Sequence, residues 1–431
     1  MSMGAVGPSA PFTHTPNSVQ ATMLTVLVAL APATLFNLYL FGWPAILLFT
    51  VTVASCAAAE AICLGLADRP VWPRLSDGSA VLTGWLLAMS LPPWAPWWTG
   101  ALGAVFAIPL AKHAFGGLGQ NLFNPAMVAR VALLVSFPVV MTAWVAPHPL
   151  FAAGSPSLAE GWAITFGGQM PDAVTAASAL GFVKTELSRG IPVAQSLPQV
   201  PDLMDMALGL RAGSLGETSL LLILAGGLFL LARRVISWHI PVGMLGALFA
   251  MATLFHALDP DRFAGGLFHV TSGAAFLGAF FIATDYVTSP VSKAGQLAFG
   301  IGVGILTWVI RTFAGYPEGV AFAVLLMNSL TPIIDQYSRP RDRGPQGLPR
   351  PGHPGRHPRQ RPPRRRPHHP RRAGPGGDRL PRHRARGRDR RRLRGQRDRL
   401  RRADPHDVGG RRRWPGPGRP GPGAQGDPRA R

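Results

Sequence analysis

The sequence has little cysteine, which limits the redox and metal chemistry it can support. Only two of its 431 residues are cysteines. Cys56 and Cys63 lie seven residues apart on one predicted helix, too far apart to form a disulfide with each other. No cysteine cluster, haem-attachment motif or dinucleotide-binding fingerprint is present. The sequence therefore predicts no metal site, and any redox chemistry requires a cofactor that is held in another way.

Charged side chains are also scarce, except at one end of the chain. Residues 339–431 contain 31 arginines, no lysine and seven aspartates, so this stretch carries +24. The preceding 338 residues carry 12 basic and 14 acidic side chains. A near-neutral apolar body is thus joined to a strongly basic tail, and the overall net charge of +22 describes neither part. The two parts need separate interpretation.

The body contains repeated apolar runs that are long enough to cross a bilayer, which takes roughly 20 residues per helix. The third and eighth runs are short and rich in Gly, Ser and Ala, which indicates broken or half-crossing helices buried against the others. No cleavable signal peptide is predicted in residues 1–19, which carry no Lys or Arg. We predict an all-α multi-pass membrane protein with about ten spans, at 20–41, 44–66, 78–91, 95–114, 125–145, 218–236, 238–257, 268–284, 295–313 and 319–335.

The basic residues between the spans predict the orientation of the body. Most of them fall on one side if residues 1–19 form a cytoplasmic N-terminal segment, and basic connections favour the cytoplasm. Both termini are then cytoplasmic. The one long polar interval, residues 147–217, faces the periplasm, and we call it the central segment. The predicted location is the bacterial inner membrane, in contact with lipid.

The two halves of the body resemble each other in sequence. Residues 77–82 (DGSAVL) recur as residues 272–277 (SGAAFL), and each copy is followed by a short apolar run that ends in proline. Five spans per half is an odd number, so the second copy has to insert upside down. We therefore predict two inverted five-helix repeats, at 20–146 and 218–338. Such repeats form a site at their interface, near the bilayer midplane.

The basic tail, residues 339–431, lacks the apolar periodicity that a folded core needs. One alternative is an arm that binds nucleic acid, and another is an arm that binds anionic lipid. Arginine, proline, glycine, alanine and histidine dominate the tail, and GC-rich codons encode most of this set. We interpret the tail as the product of a frameshift or read-through, and we predict no nucleic-acid binding.

Two acidic residues within the apolar runs are candidates for an ion path. Ionisable residues in membrane spans are functional candidates by default, because they are expensive to bury. Glu60 lies deep in the second predicted span, and Asp285 closes the eighth. The alternative role for each is a helix cap or an interfacial charge, which is the role we favour for Asp77.

The segment 115–127, FGGLGQNLFNPAM, resembles the RnfD membrane protein of the Rnf electron-transport complex, a relative of the NqrB protein of the sodium-pumping NADH:quinone reductase. Residues 90–98, 277–285 and 315–326 also match, and the likeness runs from about residue 12 to 341. The resemblance implies a membrane subunit of a redox-driven, ion-translocating oxidoreductase that is not catalytic alone. It also implies that the other Rnf subunits are its partners.

The resemblance further implies a covalent flavin in the central segment. In this family a flavin transferase attaches flavin mononucleotide (FMN) through its phosphate to a hydroxyl, within Asp-Gly-x-Ser/Thr-Gly/Ala-Ala-Thr. Here Asp172, Thr175 and Ala177 match, and Ser178 replaces the usual threonine. The resemblance thus assigns flavin attachment to Ser178, transferase recognition to Asp172 and a second possible acceptor to Thr175. Residues 272–275 lack the last hydroxyl, so no flavin bond is expected there.

Two other functions are compatible with parts of the sequence. A stand-alone channel or secondary transporter built from inverted repeats, with no redox role, fits the broken helices and the buried acids. A membrane-tethered nucleic-acid binder fits only the basic tail. The segment 172–178 and the family resemblance favour the flavin-carrying subunit over both.

Overall fold

The part of the chain that the structure describes is all-α apart from one pair of two-residue strands. The structure, a computed structural model, describes residues 18–168, 175–316 and 318–338, with the side chain of Thr175 left out. Four of its helices are long and apolar enough to cross a bilayer: α1 (Val19–Leu66), α12 (His239–Leu258), α15 (Lys293–Phe313) and α16 (Val320–Ser338). The chain is therefore a multi-pass membrane protein, whereas the count of ten spans stays a prediction.

The first half begins with α1, which is two helices joined at a kink. Ser18 caps its start, since its side chain accepts a hydrogen bond from the backbone N–H of Ala21 at 3.1 Å. Gly42, with φ 74° and ψ −161°, breaks the helix between the first two predicted spans. The remaining helices of this half are α2 (Val71–Leu75), α3 (Ser79–Ser90), α4 (Trp97–Val105) with a π-helical continuation (Phe106–Leu110), a 3₁₀ turn (His113–Phe115), α5 (Pro125–Ser136) and α6 (Pro138–Met141).

The fifth predicted span, 125–145, is wrong in its second half. Helix α5 ends at Ser136, because the next residue, Phe137, precedes a proline and has φ −133° and ψ 58°. Residues before proline disfavour the helical conformation. The start of α5 is capped by Asn124, whose Oδ1 accepts a hydrogen bond from the backbone N–H of Ala126 at 3.1 Å.

The central segment has short elements and a small apolar core of its own. Strand β1 (Trp144–Val145) pairs antiparallel with β2 (Thr175–Ala176), with Val145 opposite Thr175. Apolar side chains between Ala179 and Met206 pack together with Ala264 and Phe268 of the second half. This part of the central segment is therefore packed against the second half. Its helical elements are α7 (Leu158–Gly167), α8 (Ala179–Ser188), α9 (Val193–Ser196), a 3₁₀ turn (Leu197–Gln199) and α10 (Leu203–Leu208).

The second half contains the broken helix that the sequence predicts at the eighth span. Its two parts are α13 (Gly266–Thr271) and α14 (Ala275–Leu277). Between them, Gly273 has φ 65°, a left-handed conformation that disfavours a side chain. Gly78 has φ 79° in the matching sequence of the first half. The two matched sequences thus share a local geometry, and their inverted orientation stays a prediction. The other helical elements of this half are α11 (Leu220–Ala232), α12, a π-helical turn (Gly278–Ile282), α15 and α16.

One hydrophobic core joins the two halves. It includes Leu30, Leu87 and Leu133 of the first half and Phe299 and Val303 of the second, all fully buried. Helices α12 and α15 pack closely because glycine residues of one helix face the backbone of the other. Small residues of this kind are common where membrane helices pack tightly. The halves therefore form a single packed body that can hold buried charges.

We expect Gly304→Ala to loosen the contact between α12 and α15. A Cβ at Gly304 would overlap the carbonyl oxygen of Met244 and lie 3.0 Å from the backbone nitrogen of Leu248. Overpacking of this kind lowers the free energy of unfolding by about 1–3 kcal/mol. Denaturation in detergent micelles, followed by circular dichroism, measures the change.

The matched control is Gly246→Ala on α12. A Cβ at Gly246 meets no atom within 4 Å. Alanine favours a helix over glycine by up to about 1 kcal/mol, so this variant should be neutral or slightly stabilised. Equal effects from the two substitutions would contradict the close contact at Gly304.

Candidate functional site

Ser178, the predicted flavin acceptor, is the N-cap of α8. Its Oγ accepts a hydrogen bond from the backbone N–H of Gly181 at 3.2 Å, and the residue is 7% exposed. The first N–H groups of a helix have no partner within the helix, and they favour a negative charge placed beside them. A phosphate bonded to this Oγ would lie at a helix N-terminus, where anions bind readily.

The other two predicted flavin-site residues are described only in part. The backbone of Thr175 lies in β2, paired with Val145, three residues before the cap of α8. Asp172 lies outside the described residues. The strand and the helix therefore place the backbones of Thr175 and Ser178 at the two ends of one short connection.

Lys184 fixes α8 to the second half. Its Nζ donates to the carbonyl oxygens of Arg311 at 2.9 Å and Tyr316 at 3.2 Å, and also to that of Ala314. The carbonyls of Arg311 and Ala314 lie at the end of α15, where the last carbonyl groups of a helix have no helical partner and attract cations. The carbonyl of Tyr316 lies just beyond the helix. Burial lowers the pKa of the Lys184 ammonium. Lys184 was not among the functional residues predicted from the sequence.

A buried ion pair surrounds the break at Gly273. Arg311 donates to the carbonyl oxygens of His269 at 2.6 Å and Ser272 at 3.2 Å, and its Nη2 lies 3.1 Å from Oε1 of Glu318. The other carboxylate oxygen of Glu318 accepts from the N–H of Ala274 at 3.0 Å. The pair thus forms hydrogen bonds with backbone groups on both sides of Gly273 that have no partner within the interrupted helix.

Glu60, the first predicted ion-path residue, is also paired. Its Oε2 accepts from Nζ of Lys112 at 2.9 Å, and the same ammonium donates to Oγ of Ser79 at 2.8 Å. Nε2 of His113 lies 3.0 Å from that carboxylate oxygen, without hydrogen-bond geometry. The side chains of Glu60 and Lys112 are 4% and 2% exposed, and buried charges persist in proteins when they are paired in this way.

Asp285, the second predicted ion-path residue, lines a cavity whose volume is about 760 Å³ when its solvent-filled opening is included. Its carboxylate accepts from the N–H of Val287 at 3.3 Å and from Oγ1 of Thr288 at 3.1 Å. Lys112 and Ser79 line the same cavity. Glu60 does not line this cavity and is connected to it only through Lys112, so Asp285 alone of the two ion-path candidates reaches this space between the halves.

A second set of buried charges lies between the halves. Arg130 of α5 lines a cavity of about 330 Å³ together with Glu217 of the central segment and Glu318 of the second half. Arg211 donates to the carbonyl oxygen of Thr271 at 2.8 Å and also to that of Glu217. Sequence reasoning did not single out these residues as functional. The signal used for Glu60, an ionisable residue within an apolar run, applies to Arg130 in the fifth predicted span, whereas Glu217 lies just before the sixth.

The chain is similar to known proteins over most of its body. Residues 6–344 match the model of the NQR2, RnfD, RnfE family. The RnfD protein of the ion-translocating oxidoreductase complex from Stutzerimonas stutzeri is 56% identical over 329 residues, which is 76% of this chain and 93% of that protein. The proteins of the same name from Rhodobacter capsulatus and Escherichia fergusonii are 54% and 45% identical, covering 70% and 77% of this chain and 84% and 96% of their own length.

We expect Lys112→Met to destabilise the body strongly. The substitution leaves the carboxylate of Glu60 buried without its ammonium partner. Removing one member of a buried ion pair lowers the free energy of unfolding by about 3–5 kcal/mol. Denaturation in detergent measures the loss.

The double variant Glu60→Gln, Lys112→Met serves as the control. It removes the uncompensated charge and should regain part of the lost stability, because a neutral amide is easier to bury than a carboxylate. A single variant as stable as the wild type would contradict the pairing.

Proposed function

The chain belongs to the NQR2, RnfD, RnfE family, as its sequence predicted, and we propose that it carries FMN covalently on Ser178 as a membrane subunit of a redox-driven, ion-translocating oxidoreductase complex. In this role it passes electrons between subunits and couples their transfer to ion movement. It is one part of the enzyme and is not catalytic alone.

The observation that carries the proposal is the position of Ser178 at the start of α8. The matching segment of the family holds a hydroxyl at this place, and here that hydroxyl is the cap of a ten-residue helix. A phosphodiester bond needs only an alcohol oxygen, and the helix N-terminus adds unpaired N–H groups for the phosphate. Thr175 is the second possible acceptor, and Asp172 is the residue proposed for recognition by the flavin transferase.

The residues present fit a tethered flavin. FMN supplies the electron-transfer chemistry, while the protein supplies position and electrostatics. A covalent bond at Ser178 keeps the cofactor at a fixed place and prevents its loss. Lys184 then fixes the helix that bears the bond, because its Nζ donates hydrogen bonds to three backbone carbonyl oxygens at and just beyond the end of α15.

For the ion path, we propose the cavity that Asp285 and Lys112 line between the halves. Polar groups in such a cavity can contact an ion that apolar helices would exclude. Glu60 contributes by balancing the charge of Lys112 at 2.9 Å. Alternating exposure of this cavity by two inverted halves would couple electron transfer to transport.

The proposal also sets the surroundings of the protein. It places the body in lipid of the bacterial inner membrane, with both termini in the cytoplasm and the central segment in the periplasm. Its partners are the other subunits of the complex, and a flavin transferase during maturation. No nucleic-acid partner is proposed.

A stand-alone channel or secondary transporter is the second candidate function. The broken helix at Gly273 and the cavity of about 760 Å³ are features that such proteins share. This alternative needs no flavin on the central segment, so the presence of bound FMN separates the two candidates.

We expect the protein, when produced together with a flavin transferase, to show flavin fluorescence on its band after denaturing electrophoresis. Ser178→Ala should reduce the fluorescence to background, because the acceptor oxygen is gone. Ser178→Thr should retain it, because the hydroxyl remains.

Thr175→Ala is the matched control, since it removes a hydroxyl three residues away and should leave the fluorescence unchanged. Fluorescence that survives Ser178→Ala and disappears in Thr175→Ala would move the attachment to Thr175. A dark band for the wild type would contradict the covalent flavin.

A further inference from the structure

Helix α7 of the central segment packs on the kink in α1. Gly161 approaches the kink so closely that a Cβ there would lie 2.7 Å from the Cβ of Trp43 and 3.3 Å from the nitrogen of Pro44. Thr165 is buried on the same face of α7, and its Oγ1 donates to the carbonyl oxygen of Pro44 at 3.5 Å. One face of α7 is therefore fixed to the turn between the first two predicted spans.

The kink at Gly42 marks a surface of the bilayer. It divides α1 into residues 19–41 and residues 43–66. Each part exceeds the roughly 20 residues that a helix needs to cross the hydrocarbon core. A chain that has crossed the bilayer once and then crosses it again has to turn at the membrane surface. Because α7 is packed on that turn, it lies at the depth of the lipid headgroups.

A stripe of apolar side chains runs along one flank of α7 and is open to the surroundings. Leu158 and Trp162 are 51% and 58% exposed, and Phe166 follows four residues later. Residues four apart lie on the same side of a helix. The ring centroids of Trp162 and Phe166 are 4.3 Å apart, so these side chains form one continuous apolar surface.

This stripe continues onto the membrane-spanning body. The ring of Phe166 stacks on that of Trp97, with the centroids 6.3 Å apart and an angle of 27° between the rings. Trp97 is the first residue of α4, lies near the start of the fourth predicted span, and is itself exposed. Tryptophan is enriched at membrane–water interfaces, because its ring is apolar and its N–H can reach water.

The opposite flank of α7 is polar. Glu160 is the only charged residue among the ten residues of this helix. At 3.6 residues per turn, it lies about 160° around the helix axis from Trp162. Glu160 is exposed, and its carboxylate accepts from the backbone N–H of Ser157 at 2.7 Å. A helix with an apolar flank and a polar flank is suited to lie in the plane of a membrane surface.

We propose that α7 lies in the plane of the bilayer surface and inserts Leu158, Trp162 and Phe166 between the lipid headgroups and the acyl chains. The depth of α7 and the continuity of its stripe with Trp97 favour lipid over a protein partner. The inference requires that the chain spans the membrane, and it depends neither on the flavin nor on the side that the central segment faces. Lipid thus anchors α7, whereas Lys184 fixes α8 to the second half.

The first test measures the depth of nitroxide labels by electron paramagnetic resonance, on the full-length protein in lipid nanodiscs. Cys63→Ala removes the native thiol that is partly exposed, and the other, Cys56, is buried. Trp162→Cys provides a label on the apolar flank, and Glu160→Cys is the matched control on the polar flank. The label at position 162 should collide mainly with oxygen, which concentrates among acyl chains. The label at position 160 should collide mainly with a polar nickel complex, which stays in water.

Two results of this measurement would overturn the proposal. Frequent collisions with the nickel complex at both positions would place the apolar flank in water. A label at position 162 that meets neither reagent would mean that protein covers this flank, either a second copy of the chain or another subunit.

The second test keeps an aromatic ring at every position of the stripe, so it does not depend on the folding of the cysteine variants. Bromine atoms on acyl chains quench indole fluorescence on contact. The emission lost in Trp162→Phe reports Trp162, and it should be much weaker in nanodiscs of brominated lipid than in unbrominated ones. Trp308, which is fully buried, is the control, and the emission lost in Trp308→Phe should be the same in both lipids. Equal emission from Trp162 in both lipids would contradict its contact with acyl chains.

Discussion

The buried pair of Arg311 and Glu318 is the interaction on which the second half depends. A helix that breaks inside a membrane body leaves backbone N–H and C=O groups open, and lipid cannot satisfy them. Here the guanidinium of Arg311 donates hydrogen bonds to two carbonyl oxygens around the break at Gly273. The carboxylate of Glu318 accepts a hydrogen bond from the N–H of Ala274. The pair thereby permits an interrupted helix where a continuous apolar one would otherwise be required.

Arg311 also connects the membrane body to the central segment. Its side chain holds the broken helix, while its carbonyl oxygen accepts from Lys184 of α8. The helix that begins at Ser178 is thus fixed, through one residue, to the break at Gly273. A group carried on Ser178 would therefore share a rigid frame with the buried charges at the break.

Local features of the chain were predictable from the sequence, whereas the pairing of buried charges was not. The break at the eighth span and the short third span follow from their small residues. The fifth span was overextended because a proline stops it at Ser136, although apolar residues continue. Lys112 and Glu60 are 52 residues apart and Lys184 and Arg311 are 127 apart, and such contacts depend on the tertiary fold. Neither lysine was predicted from the sequence to form a buried contact.

The central claim is that the cap of α8 carries the flavin. The most direct measurement is mass spectrometry of peptides from the flavin-loaded protein, with fragmentation across residues 175–178. The account predicts the added mass of FMN on Ser178 and an unmodified Thr175. An unmodified Ser178 in protein produced with an active flavin transferase would contradict it.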